Sequence, residues 1–334
     1  MSADRRRRKR KMTKIPILCV VGPTASGKTA LSVALAERFS AEILSFDSMQ
    51  LYKGMDIATA KPTPEEMHGI PHHMIDCVPA GETYSVARYK TDADRIIGEI
   101  HARGRQVVMV GGTGLYLDTV LKNITFLEDD GHEEIRRELK AELEREGPEA
   151  MYRKLLAADP EYAAKTAPAN TKRVLRALEV YRATGYTMSY QIAQSRKQPE
   201  LYAPTILGLN TRDRNVLYGR INRRVDRMLQ QGLLTEAREW QQNGGGETAA
   251  QAIGIKEMLP YLNGEATLES CTEKLKQATR HYAKRQLTWF RRNPAVHWLY
   301  LDDYSSEGEL TADAVRTAEL AGFPDGRAKE RVDS

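Results

Sequence analysis

Gly22-Pro23-Thr24-Ala25-Ser26-Gly27-Lys28-Thr29 follows directly on the apolar run Ile17-Leu18-Cys19-Val20-Val21 and leads into the helix-like stretch from Ala30 to Phe39. The eight residues satisfy the phosphate-loop pattern G-x-x-x-x-G-K-[ST], and the flanks are those the pattern needs. A buried strand ends in a tight glycine turn, and a helix begins whose free N–H groups face an anion. Lys28 is placed to set its ammonium against the outer phosphates of a ligand, and the Thr29 hydroxyl to reach a magnesium ion. The reading calls for a di- or triphosphate and leaves open what is done to it.

Outward from this loop the chain alternates strand and helix patterns. Ile15–Val21 reads as the first strand and Lys28–Phe39 as the first helix. Glu42–Phe46 reads as a second short strand that ends at Asp47-Ser48-Met49-Gln50. Residues 58–83 hold Pro62, Pro64, Pro71 and Pro79 and read as loop with short turns. Val86–Arg103 has helical apolar spacing. Val107-Val108-Met109-Val110 is a wholly apolar strand that runs into Gly111-Gly112-Thr113-Gly114. Glycine turns at strand carboxyl ends indicate a parallel α/β sheet, in which ligands gather at those ends.

From about Glu128 to Arg196 the pattern becomes helical and charged, without a strand, which reads as a helical insertion in the sheet domain. Strand character returns at Tyr202–Leu209. Arg214–Gln242 then reads as one long helix, followed by helices over 254–262 and 268–291 and a last strand at Trp298–Leu301. The organisation expected is a basic, disordered leader over 1–14 and a catalytic core from 15–127 and 201–305. An insertion over 128–200 and a weakly structured tail over 306–334 complete it.

The net charge of +5 misleads about partners. Residues 1–14 hold eight basic side chains and one acid, so the remaining 42 basic and 44 acidic groups leave the rest of the chain near −2. A polyanionic partner has to be argued from local clusters. No apolar run approaches the ~20 residues of a membrane span, and no apolar segment follows the basic leader as in a secretory signal. The three scattered cysteines, Cys19, Cys77 and Cys271, fit a reducing cytosol.

Three constellations carry chemistry. Asp47 closes the second strand, where an acid either takes a proton from an acceptor substrate or caps the following turn. The strand ending at Val110 lacks the acid with which an ATPase or GTPase holds magnesium or positions water. It ends instead in a glycine turn and the hydroxyl of Thr113, which suggests a phosphate group that is held and not hydrolysed. Thr113 either bonds an oxygen of a departing pyrophosphate or caps a helix. Lys274, Lys276, Arg280, Lys284, Arg285, Arg291 and Arg292 fall in nineteen residues without an acid. On a helix, 276, 280, 284 and 291 share a face, a stripe suited to a nucleic-acid backbone and otherwise a solvated surface. Lys172-Arg173-Val174-Leu175-Arg176 is a smaller basic group. Arg220 and Arg224, one helical turn apart, can both point at a pyrophosphate. His68, His72, His73 and Cys77 match no established zinc spacing and read as structural loop residues.

Several blocks, in order along residues 15–300, resemble the bacterial tRNA dimethylallyltransferase (IPP transferase) family. They are Gly22–Thr29, Asp47–Gln50, Pro71-His72-His73, Gly111–Tyr116, Arg173–Glu179, Ile253–Glu257 and Arg285–Arg291. The resemblance implies a P-loop NTPase-like parallel sheet flanked by helices, with an all-helical insertion domain. It implies transfer of a dimethylallyl group from dimethylallyl diphosphate to N6 of the adenosine immediately 3′ of the anticodon. By resemblance Asp47 is the base, Thr113 steadies the departing oxygen, and Arg220 with Lys28 and Mg2+ stabilises the leaving diphosphate. The family's contacts to the tRNA anticodon stem-loop map onto Asp47, Ser48, Met49 and Gln50; Arg136; Lys172, Arg173, Val174, Leu175 and Arg176; Gly254 and Lys256; and Lys284, Arg285 and Arg291. A cytoplasmic monomer without membrane contact is expected. A small-molecule or nucleotide kinase, with Asp47 activating a hydroxyl, is the alternative, and it leaves the acid-free stripe without a purpose.

Overall fold

The computed structural model describes residues 14–126, 132–244, 246 and 249–326. The basic leader, but for Lys14, lies outside the described residues, as does the boundary expected at 127 and 128.

Ile15–Val21 (β1) is buried along its last five residues, so a continuous Ile/Leu/Val run is what a strand covered on both faces requires. Lys28–Phe39 (α1) follows the glycine turn, then Ala41–Ser45 (β2), Pro64–Met67 (α2), His72–His73 (β3), Val86–Ala102 (α3), Gln106–Val110 (β4) and Gly114–Leu121 (α4). After the helical segment come Tyr202–Asn210 (β5), and later Val296–Tyr300 (β6). The six strands form one sheet in the order β3-β2-β4-β1-β5-β6, every pair parallel. β1 therefore lies inside the sheet, and its carboxyl end opens between those of β4 and β5. That is where the glycine loop emerges.

The chain divides into two compact units, 1–120 with 201–334, and 121–200. In the second unit lie Glu133–Glu146 (α5), Pro148–Ala158 (α6), Pro160–Ala163 (α7), Thr171–Thr184 (α8) and Met188–Ser195 (α9). They enclose a small core of Leu139, Met151, Leu155, Ala163, Val174, Ala177 and Leu178. Val174 is 1% exposed. Its side chain packs this core, which removes it from the RNA-facing set in which the sequence placed it, and Leu175 packs against the same core.

Two readings of the first unit need correction. Arg214–Gln242 is not one helix but two, Arg214–Gln230 (α10) and Leu233–Gln242 (α11). Gly232 between them has φ +105°, a left-handed conformation that ends α10 and redirects the chain. Ile255–Leu262 (α12) and Leu268–Phe290 (α13) follow. Over its described residues, 306–326, the tail is not weakly structured: Glu307–Leu320 (α14) packs against α1, β5 and β6, and the rest of the expected tail lies outside the described residues. Its buried face is made of alanines, Ala314 and Ala318, and so carries little hydrophobic signal in sequence. Phe323 beyond it meets Phe39 edge-on at 5.1 Å and sits in the main core with Leu35, Ile43 and Val108.

Because Phe323 is 4% exposed, Phe323→Ala should destabilise the fold by about 3 kcal/mol, as large-to-small core changes do. Chemical denaturation at unchanged denaturant slope measures this, and a loss under about 1 kcal/mol would contradict the packing role of the tail.

Candidate active site

The loop keeps its shape through close approach and restraint. Gly22 has φ +145°, and a Cβ there would stand 2.6 Å from the Leu209 carbonyl oxygen of β5. Ala25 has φ +63°, a left-handed conformation that a non-glycine residue holds only at a cost. Three side chains fasten consecutive loop residues. Lys28 Nζ donates to the Pro23 carbonyl at 2.7 Å, Gln286 Oε1 accepts from Thr24 N at 2.8 Å, and Arg220 Nε donates to the Ala25 carbonyl at 2.8 Å. No side chain caps the N-terminus of α1, so its first amides are left for an anion.

Thr24 to Thr29 line a cavity of about 370 Å³. Gly22 and Pro23 lie buried beneath it and do not line it. Asp47, Ser48, Met49 and Gln50 form a second wall; Arg224, Tyr282, Arg285 and Gln286 a third. The remaining lining is largely apolar or small: Ala58, Pro62, Ile75, Val225, Met228, Ala252, Ile253 and Leu275. A phosphate cradle thus faces a carboxylate, with an apolar compartment in the same cavity.

Asp47 accepts from Met49 N through Oδ1 at 3.0 Å, which makes the turn an Asx turn and fixes the carboxylate in the wall. Capping and facing the cavity, posed as alternatives in the sequence, coexist. Thr113 stands one step back. Its hydroxyl accepts from Ser48 N at 3.0 Å and donates to Ser48 Oγ at 3.2 Å. It lies outside the cavity lining, so in this arrangement it holds the Asp47 turn. Arg220 likewise braces the loop from outside the cavity, while Arg224 lines it.

The wall over 55–61 is held from three directions. Glu236 of α11 accepts from Asp56 N, Ile57 N and Ala58 N at 2.7, 2.7 and 2.8 Å. Gln50 Nε2 donates to the Thr59 and Ala60 carbonyls, and its Oε1 accepts from Ser45 Oγ. The Lys61 ammonium bonds the Tyr52 carbonyl, Asp56 and Asp76. The Gln50 side chain, assigned to RNA from sequence, is thus occupied in the wall. Gly254 is buried as well: it has φ +113° and a Cβ there would stand 3.0 Å from the Ala58 Cβ. Its close packing explains the glycine.

The basic stripe is rearranged. Lys276 Nζ pairs with Asp226 at 2.8 Å, and Arg280 donates to Asn222 Oδ1 at 2.8 Å, so both are turned to α10. Lys274, Lys284 and Arg285 are exposed on α13, and Arg291 and Arg292 are exposed in the turn just beyond its end at Phe290. Lys256 is exposed on α12. In the helical unit Lys172 and Arg173 are exposed, whereas Arg136 and Arg176 both pair with the buried Glu179, at 2.6 and 2.9 Å.

Two cavity residues carried no assigned role in the sequence reading. Gln286 sits in the quoted block Arg285–Arg291, but its buried contact with a residue 262 positions away leaves no local signal. His72 lines the cavity, and its Nδ1–H donates to the Ile70 carbonyl at 2.8 Å. Its Nε2 is then an acceptor, buried and without a partner among the described residues, and burial lowers the imidazole pKa. Pro71-His72-His73 was a signal that it mattered, though not how.

A parallel sheet with a phosphate loop, a facing carboxylate and an apolar compartment defines a P-loop enzyme that binds a diphosphate-bearing molecule with an apolar part. The comparisons make this specific. The IPP transferase family model matches residues 50–293, and the chain belongs to that family. It is 47% identical over 300 residues to the tRNA dimethylallyltransferase of Caldanaerobacter subterraneus subsp. tengcongensis, covering 89% of this chain and 95% of that one. The crystal structure of the full-length tRNA isopentenylpyrophosphate transferase from Bacillus halodurans matches with TM-score 0.69 and 41% identity, over 96% of this chain and 99% of that one. A eukaryotic dimethylallyltransferase acting on tRNA matches with TM-score 0.76 and 32% identity, over 94% and 81%.

Burial, with Arg224 adding to it and Asp47 opposing, brings Lys28 down from 10.5 to about 7. Between these values the unfolded chain binds more protons than the fold. The cost of burying the ammonium is therefore full below about pH 7 and is relieved as pH rises. A diphosphate in the loop restores the charge, so its affinity should fall above about pH 7, by up to about tenfold per unit. Calorimetry with inorganic diphosphate across pH 6–9 tests this. Lys28→Met should bind more weakly at pH 6 and lack the fall; an unchanged profile in the variant would exclude Lys28 as its source.

Proposed function

We propose that this chain transfers the dimethylallyl group of dimethylallyl diphosphate to N6 of the adenosine 3′ of the anticodon in tRNA, releasing diphosphate. The observation that carries the reading is the single cavity in which Thr24–Thr29 and Lys28 face Asp47, with apolar side chains between and no acid at the end of β4. Membership of the IPP transferase family disfavours the kinase alternative.

The reaction forms a bond between N6 and the allylic carbon and breaks the bond from that carbon to the diphosphate oxygen. Asp47 takes the proton that N6 sheds. Lys28, the amides of the loop and α1, and Arg224 receive the charge that builds on the departing diphosphate. An amino group on a purine is a poor nucleophile, so holding it in line with the carbon contributes much of the acceleration. Val225, Met228, Ile253 and Leu275 supply a lining that keeps water from an allylic centre gaining positive charge. Thr113 acts through the Asp47 turn, and Arg220 through the loop.

Magnesium fits the Thr29 hydroxyl, which would hold it together with the oxygens of a bound diphosphate, because this ion is bound with few protein ligands. Bound there, it would neutralise diphosphate charge. The target base leaves its stack to enter the cavity, at a cost of a few kcal/mol that contacts to the loop phosphates offset. Lys256, Lys284, Arg285 and Arg291, with Lys172 and Arg173 of the helical unit, are the exposed cations suited to those phosphates. Among the described residues no helix is long and apolar enough to cross a membrane. A cytoplasmic monomer acting on one stem-loop belongs to the same proposal.

Incubation with unmodified tRNA, labelled dimethylallyl diphosphate and ATP as competing donor should label tRNA from the prenyl donor only. Asp47→Ala should lower turnover at least about 100-fold while tRNA affinity stays within about threefold. Phosphate transfer, or no transfer, sinks the assignment; equal loss of turnover and affinity makes Asp47 structural. Replacing Lys284 and Arg285 together by alanine should weaken tRNA binding and reduce its salt slope by about 1.4–1.8, since each phosphate contact contributes about 0.7–0.9. An unaltered slope would return that face to solvent.

A further inference from the structure

We propose that Gln286 is a positioning residue that holds the phosphate loop in its anion-binding shape and sets its spacing from the Gly111–Gly114 turn. Gln286 lies on α13 and is 4% exposed. Its side-chain amide is used at both ends: Oε1 accepts from Thr24 N at 2.8 Å, and Nε2 donates to the Gly112 carbonyl at 3.1 Å. One planar group therefore spans the loop after β1 and the turn after β4, the two glycine turns that open side by side at the carboxyl edge of the sheet.

The fit is tight enough to explain a residue elsewhere in the chain. A Cβ at Gly112 would stand 1.9 Å from Gln286 Nε2. Gly112 has no positive φ to demand a glycine, so the demand comes from the amide packed against it. The phenol of Tyr282, one helical turn earlier, stands 3.4 Å from the same Cβ position and closes the space around Gly112 from a second side.

The loop needs such a strut. Ala25 is held at φ +63°, with its own carbonyl bonded by Arg220 and the N–H of the preceding Thr24 bonded by Gln286, both from outside the loop. Without Gln286, Thr24 N would lose its partner in a half-buried position, and Ala25 could relax toward ordinary backbone. The amides that follow would then lose their common aim at the anion. Arg285, next in sequence, is exposed and also lines the cavity. α13 thus presents a cation to the acceptor side and a strut to the donor side.

The inference rests on reading the loop as a diphosphate site, and its test uses inorganic diphosphate so that the two fail separately. Calorimetry should show Gln286→Leu binding diphosphate at least tenfold more weakly than the parent. KM for dimethylallyl diphosphate should rise in proportion, with kcat within about threefold and anticodon stem-loop affinity within twofold. Gly112→Ala should reproduce this pattern by displacing the amide, and the double variant should be no worse than Gln286→Leu alone, since the contact is lost once. Gln286→Glu, which keeps the acceptor for Thr24 N, should fall between, and it decides the question if the leucine variant does not fold. Diphosphate binding unchanged in these variants, or an equal loss of RNA affinity, would overturn the proposal. A parent protein that binds diphosphate but prenylates nothing would remove the proposed function and leave this inference standing. One that binds no diphosphate removes both.

Discussion

A buried ammonium beside an uncapped helix N-terminus is unstable without an anion, and the site is built around that condition. Lys28 shares one cavity with Arg224 and Arg285 of another wall, so three cationic groups meet there, and among the described lining residues Asp47 is the one acid that opposes them. The fold pays for this arrangement elsewhere, in the continuous apolar packing of β1 and in the Phe39–Phe323 core. The deficit of negative charge is what makes a diphosphate a fitting ligand. Such a ligand neutralises Lys28 and Arg224 and satisfies the first amides of α1 at once.

The organisation around the cavity separates binding from alignment. Asp47 and the phosphate loop, which meet the cavity directly, are each backed by a side chain that does not. Thr113 backs Asp47 through Ser48, and Arg220 backs the loop through Ala25. α13 combines these tasks on its two faces. Its outer face carries Lys284 and Arg285, with Arg291 and Arg292 in the turn that follows, and its inner face carries Gln286 and Phe290 into the core. Lys276 and Arg280, on a third side, fasten it to α10.

Much of this was legible in the sequence because it is local. The glycine loop, the apolar strands β1 and β4, and the acid at the end of β2 are each declared by a handful of adjacent residues. What stayed hidden depends on residues far apart. The break at Gly232 looked like helix because apolar spacing continues through it, and only the left-handed backbone reveals the stop. α14 buries alanines, which give no amphipathic contrast. Lys276 seemed free because the nearer of its two acids in space, Asp226, is fifty residues away, and the other, Glu273, stands just outside the acid-free window. Val174 seemed part of a basic cluster because its neighbours are, though its own side faces a core. The glycine at 112 was visible, but its reason lies in Gln286.

The three amides that converge on the Glu236 carboxylate bear on how large a donor the cavity can take. A backbone segment whose N–H groups are claimed by Glu236 of α11 and whose carbonyls are claimed by Gln50 cannot swing aside like a flap. Ala58 is moreover backed by Gly254 with no space between them. Room for a longer hydrocarbon tail would have to come from shrinking residues such as Met228 or Leu275 rather than from hinging this side open. The compartment therefore measures its guest as a rigid gauge does, by refusing to yield.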